Sequence, residues 1–98
     1  MEFEIQFSPH AQEHVKKLRK RDQQIILEAI AVNLHHQPDQ QTKNRKLLEE
    51  NPLAPWELRV GDFRVFYDVN QTENLVVIVA VGKKKHNELW IGNEQVEL

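Results

Sequence analysis

The hydrophobic and polar positions divide the chain into a strand, two helices and a β-rich last third. Residues 2–7 alternate Glu2, Glu4 and Gln6 with Phe3, Ile5 and Phe7. That period of two predicts a strand with one buried face. Ser8-Pro9 follows, and serine at the cap with proline at the first helical position starts a helix there. Ala11, Val15 and Leu18 give this helix a narrow apolar stripe. Asp22 can cap a second helix, in which Ile25, Ile26, Ala29, Ile30 and Leu34 keep the helical period to about His36; Pro38 ends it. With almost nothing between them, the two helices form an αα-hairpin. Residues 37–45 read as a polar loop and Lys46-Leu47-Leu48-Glu49 as a short turn or 3₁₀ segment. Pro52 and Pro55 keep residues 50–55 irregular.

In the last third, Trp56, Leu58 and Val60 alternate with Glu57 and Arg59. Gly61-Asp62 separates them from Phe63, Val65, Tyr67 and Val69, and a two-residue loop with glycine first suits a type II′ hairpin. Asn70 to Asn74 is a polar turn. Leu75 to Val81 is apolar throughout, as expected of a central strand covered on both faces. Gly82 and the lysines end that strand, and Glu88 to Ile91 forms a short final strand or a turn. The predicted fold is α+β, a single domain over residues 1–98. It has an N-terminal strand, a helical hairpin and an antiparallel three-stranded meander, with the helices on one face of a four-stranded sheet. Ile26, Ile30, Leu34, Leu58, Val65, Val77 and Val79 are the expected core.

Composition changes this picture little. The 98 residues are 40% hydrophobic and 29% charged, which is ordinary for a globular domain. No cysteine is present, so disulfides and thiolate metal sites are excluded. The first residues lack the basic and apolar regions of a signal peptide. No apolar run approaches the ~20 residues needed to span a bilayer. The expectation is a cytoplasmic protein that does not engage a membrane. The net charge of −2 argues against nucleic acid as a partner, because phosphate binding leaves a basic footprint. The distribution argues the other way: basic residues cluster at Lys16 to Arg21, Lys43 to Lys46 and Lys83 to Lys85.

Candidate chemistry comes from the hairpin. If Gly61-Asp62 is its loop, Val60 pairs with Phe63 and Arg59 with Arg64, so two arginines oppose each other on one face. Like charges directly opposed destabilise a sheet. Either Glu57 and nearby acids neutralise the pair, or an anion such as phosphate does. If Val69 pairs with Leu75, Arg64 faces Ala80 and Lys84 shares the arginine face. A one-residue slip would flip it.

The run Trp56-Glu57-Leu58-Arg59-Val60-Gly61-Asp62-Phe63-Arg64-Val65-Phe66-Tyr67-Asp68-Val69 resembles the signature hairpin of RelE/ParE-type toxins, with the plasmid-stabilisation branch the nearest in pattern. Val81-Gly82-Lys83-Lys84-Lys85 is similar to the strand that follows. The resemblance implies a toxin paired with an antitoxin protein. In the RelE-like branch it implies an endoribonuclease, an mRNA interferase that inhibits translation by cleaving mRNA on the ribosome without a metal or other cofactor. That chemistry needs a proton acceptor, cations for the phosphorane and a donor for the leaving oxygen. By resemblance Arg64 stabilises the phosphate, and Arg59 matches an arginine of the signature. Lys84 stands where a second catalytic arginine is usual, and Trp90 where a tyrosine is often found. Pro55 and Glu57 stand where catalytic lysines occur. ParE-like members share the fold, lack the nuclease set and act on DNA gyrase. A third alternative is an attenuated toxin fold that mainly binds its antitoxin.

The predicted catalytic set is therefore Arg64, Lys84, His86 and Glu57. Arg59, Lys83, Lys85 and Trp90 bind RNA phosphate or base, with His86 and Trp90 at the rim of the cationic face. His86 and Glu57 also have plain readings, as a solvated loop histidine and a salt-bridge partner. His10 and His14 have a metal-compatible spacing but no third ligand. His35-His36 sits where positive charge complements a helix dipole. Lys16 to Arg21 is either a solvated face or a contact to ribosomal RNA.

Overall fold

The computed structural model describes residues 2–98. Strand β1 (Glu4–Phe7) leads into helices α1 (Pro9–Lys16) and α2 (Lys20–Leu34). Strands β2 (Arg45–Leu47), β3 (Trp56–Val60), β4 (Phe63–Asn70), β5 (Leu75–Lys85), β6 (Glu88–Ile91) and β7 (Glu94–Val96) follow. They form one sheet in the order β2-β3-β4-β5-β6-β7, and β1 pairs in parallel with the first part of β5. All other pairings are antiparallel. The expected order and class hold, but the sheet has seven strands rather than four. Residues 45–47 are a strand, not a turn or 3₁₀ segment. Strand β5 does not stop at Gly82, because β6 folds back and pairs with Lys83, Lys84 and Lys85.

Helix α1 begins as its sequence dictates. The Ser8 hydroxyl accepts from the Ala11 N–H (3.1 Å) and donates to the Val79 carbonyl (2.9 Å), so the cap also ties the helix to β5. Helix α2 starts at Lys20, two residues before Asp22, with Arg19 in the cap position. Asp22 lies in the first turn, where its charge complements the helix dipole, and its carboxylate is 3.6 Å from Arg19. The end of α2 at Leu34 is closed from outside. Arg45 donates to the carbonyls of Asn33 (2.7 Å) and His36 (3.1 Å). The Asn33 carbonyl is among those a helix end leaves without a partner, and His36 follows the cap residue His35.

The helices cover one sheet face. Ile26, Ile30 and Leu34, at four-residue spacing on α2, pack with Leu58, Val65, Tyr67, Val76 and Ile78. Trp56 and Tyr67 stack across the β3–β4 pair with ring centroids 6.1 Å apart. A smaller cluster lies on the other face, where Ala54, Phe66, Ala80 and Leu89 are covered by parts of the 48–53 loop and by β7. Val77 and Val79 are only partly buried. The helix-facing residues of β5 are instead Val76 and Ile78, because Asn70, not Val69, pairs with Leu75. The ladder then shifts: Tyr67 faces Ile78 and Phe66 faces Ala80, leaving Val79 as the extra residue of a bulge. Beyond it Val81 rejoins the helix-side core.

Burial holds the Tyr67 phenol neutral by pushing its pKa far up, and its hydroxyl donates to the Pro38 carbonyl at 2.7 Å. This bond pins the loop after α2 to the sheet. Tyr67→Phe leaves that carbonyl without its donor and should lower unfolding stability by about 1–3 kcal/mol in urea denaturation, with an unchanged m-value.

Candidate functional site

The β3–β4 turn has a positive φ at Gly61 (59°) and none at Asp62, as a type II′ turn requires. Val60 pairs with Phe63 and Arg59 with Arg64, the predicted register. The apolar members of both strands face the helices, while Glu57, Arg59 and Arg64 share the other face.

Glu57 resolves the opposition of the arginines. It is the buried charged residue among those described, 6% exposed. One carboxylate oxygen lies 3.9 Å from Arg59 Nε and the other 3.7 Å from Arg64 Nε. The two guanidinium groups differ in freedom. One terminal nitrogen of Arg64 donates to the carbonyls of Gly61 (2.8 Å) and Phe63 (2.9 Å), and its buried Nε has no hydrogen-bond partner. Its side chain is 13% exposed, against 49% for Arg59. Arg64 is fastened to the hairpin; Arg59 is open to solvent.

Arg64 faces Gly82, not Ala80 as expected. The one-residue difference at the turn and the one-residue bulge add to two. Two residues preserve the side of the sheet, so Lys84 does lie on the arginine face. Its N–H donates to the Asp62 carbonyl (2.8 Å). Gly82 has to be small, since a Cβ there would come within 2.7 Å of the Trp90 carbonyl. Lys84, Arg59, Glu57 and Lys46 line one open recess of about 490 Å³, together with Glu88 and Glu97.

The other predicted residues fall elsewhere. Lys83, Lys85 and Trp90 line a different recess, beside the end of α1. Lys83 sits over the Phe63 ring at 5.4 Å and pairs with Trp90, so Trp90 is not at the rim of the arginine face. His86 is exposed in the β5–β6 turn, where it and Asn87 both have positive φ (51° and 67°). It lies outside both recesses. Lys46 was missed because β2 is too short to show a period; it pairs directly with Glu57. His14 was read only as half of a metal spacing. Its Nδ1 accepts from the Val81 N–H at 3.2 Å, and burial, then His10, then Lys17 hold its pKa below 6.5. Among the described residues no group of three histidine, aspartate or glutamate side chains is placed to hold a metal. No described helix is long and apolar enough to cross a membrane.

The two-helix layer on an open, mostly antiparallel sheet is a fold found in solved toxin–antitoxin complexes. A chain of the toxin–antitoxin complex RelBE2 from Mycobacterium tuberculosis superimposes with a TM-score of 0.74 at 21% identity, over 86% of this chain and 93% of that one. A chain of the archaeal RelE–RelB complex from Pyrococcus horikoshii gives 0.70 at 22% identity, over 88% and 99%. No curated protein sequence matches. Residues 5–88 match the family described as ParE toxin of the type II toxin–antitoxin system, parDE. The chain belongs to this family, within the RelE/ParE toxin superfamily.

Glu57→Gln removes the one negative charge between the arginines and should cost about 3 kcal/mol. That is the low end for breaking a buried pair, since Arg59 is half exposed. Millimolar phosphate should restore more melting temperature to this variant than to the parent, measured by circular dichroism.

A second expectation concerns His14. Its folded pKa lies below its unfolded value of 6.5, so the unfolded chain binds more protons near that pH and stability rises with pH there. Above 6.5 the neutral acceptor is fully present; the loss accrues as pH falls from 6.5 through the lowered folded pKa. The melting-temperature gap between the parent and His14→Gln should narrow as pH is lowered through this window.

Proposed function

We propose that the chain is the toxin of a type II module and that its arginine face binds and cleaves mRNA on the ribosome. The observation that carries this reading is the meeting of Arg59, Lys84, Lys46 and Glu57 in one open recess, with Arg64 fixed behind it. These groups are sufficient for metal-free transphosphorylation. Glu57 takes the ribose 2′-OH proton as the 2′ oxygen bonds to phosphorus. Arg59 and Lys84 offset the charge on the non-bridging oxygens. The P–O5′ bond breaks, and a Lys84 proton goes to the leaving oxygen. The products are a 2′,3′-cyclic phosphate and a 5′-hydroxyl. His86, outside the recess, is left without a part in this scheme.

A cognate antitoxin is the proposed partner. In support, both structural neighbours come from toxin–antitoxin complexes, and α2 leaves Ile25 and Val32, seven residues apart on one side, exposed, apolar positions that a folding segment can cover. A toxin acting on ribosomes works in the cytoplasm. One observation favours a second, non-catalytic reading, in which the face binds a protein target such as DNA gyrase. Glu57 already neutralises part of the arginine charge.

The test is induced expression with mapping of mRNA ends, followed by cleavage in a purified translation system. Growth arrest with new 5′-hydroxyl ends is expected. Lys84→Ala and Arg59→Ala should each lower cleavage at least about tenfold, the worth of one charge-assisted contact, with folding intact by circular dichroism. Lys84→Arg should retain or raise it, since a fork replaces a point charge. Arrest without RNA cleavage, together with inhibited supercoiling, would reject the nuclease in favour of the gyrase reading.

A further inference from the structure

The recess beside α1 is chemically the inverse of the one on the arginine face. It has a volume of about 250 Å³, and its wall carries Lys17, Lys83 and Lys85 with the Trp90 and Phe63 rings and His14. No carboxylate lines it, although the chain has 15 acidic residues against 13 lysines and arginines. The arginine-face recess, by contrast, includes Glu57, Glu88 and Glu97. Three lysines converging without an acid repel one another, and an anionic ligand is the compensation that surface lacks. Lysine is a point-charge partner for phosphate. The floor supplies a second requirement, because indole and phenyl faces beside cations are surfaces on which nucleobases stack. A third is a donor. While His14 is neutral, its Nδ1 accepts from Val81 N–H, so its proton sits on Nε2.

We infer that this recess is a binding site for one nucleotide unit, its base against Trp90 and its phosphate on Lys17, Lys83 and Lys85. At about 250 Å³ the recess is slightly smaller than the usual ligand pocket, which runs roughly 300–1,000 Å³. It therefore takes one flat ring system rather than a helix or an extended peptide. The nucleotide is either a free nucleoside phosphate or an unpaired residue of an RNA strand. The site stands on a different face from the proposed cleavage groups and does not depend on them.

The test is a titration of the ¹⁵N-labelled full chain at low salt, followed by ¹H–¹⁵N spectra. The probes are AMP, a four-nucleotide oligoadenylate, inorganic phosphate and a glutamate-rich hexapeptide. AMP or the oligonucleotide should shift the Trp90 indole N–H and the Gly92 and Asn93 amides. Tighter binding of AMP identifies a free nucleotide, and tighter binding of the oligonucleotide identifies a strand. The double substitution Lys83→Ala and Lys85→Ala should weaken AMP binding, read at the Trp90 indole, at least about tenfold, while Arg21→Ala, outside both recesses, changes it less than about twofold. The inference is overturned if phosphate alone reproduces all the shifts, or if the peptide binds as well as AMP. It is equally overturned if the shifts fall around Arg59 and Lys84 alone, with the Trp90, Gly92 and Asn93 signals unmoved, or if no probe shifts these signals at millimolar concentration.

Discussion

The open face of the sheet depends on the register of one hairpin. Gly61 supplies the positive φ that joins β3 to β4 in two residues, and pairing then follows residue by residue. The same register that sends Trp56, Leu58, Val65 and Tyr67 into the helix-side core puts Arg59 against Arg64. The core and the charge conflict are two consequences of one constraint. Burial of Glu57 resolves the conflict, since each of its oxygens meets one guanidinium. A buried carboxylate would be costly alone, and the opposed arginines would be costly without it. Removing either side exposes the other.

The Val79 bulge is the second device on which the geometry turns. Up to Ile78, the even-numbered residues of β5 face the helices; past the bulge, the odd-numbered ones do. Bulges re-aim side chains in this way. Here the bulge is held by the helix cap, because the Ser8 hydroxyl donates to the Val79 carbonyl while the Ser8 N–H donates to that of Ile78. The start of α1 and the sidedness of the basic end of β5 are thus mechanically linked.

The sequence made the fold class legible because its largest signals are local: the alternation of 56–60 and 63–69, the Ser8-Pro9 start and the Ile26/Ile30/Leu34 period. The β3–β4 register was readable for the same reason, since a two-residue turn leaves no freedom. The register of β5 was not. Leu75 to Val81 is apolar at every position, so nothing in it distinguishes one face from the other, and Val77 and Val79 were placed in the core where Val76 and Ile78 belong. Lys84 nevertheless fell on the arginine face, because the turn error and the unseen bulge summed to two residues, which keeps the side of the sheet. Strand β2 and the continuation of β5 depend on partners distant in sequence. Lys46 at the site and Trp90 away from it were therefore beyond local reasoning.

The run Lys83-Lys84-Lys85 shows what this nonlocal pairing does. Read as the end of a strand entering a loop, it is a single basic patch. Paired with β6, it is extended backbone, and successive side chains alternate faces. Lys84 goes to Arg59 and Glu57, while Lys83 and Lys85 go to Phe63, Trp90 and the end of α1. Three adjacent residues therefore serve two surfaces of opposite character. One mixes cations with a buried carboxylate; the other has cations over aromatic rings and no acid. A protein with a net charge of −2 thus concentrates positive charge in the recess beside α1, while the recess on the arginine face balances Lys46, Arg59 and Lys84 against Glu57, Glu88 and Glu97. Its overall charge consequently says little about whether it meets phosphate, because what matters for a ligand is the field of the face it approaches.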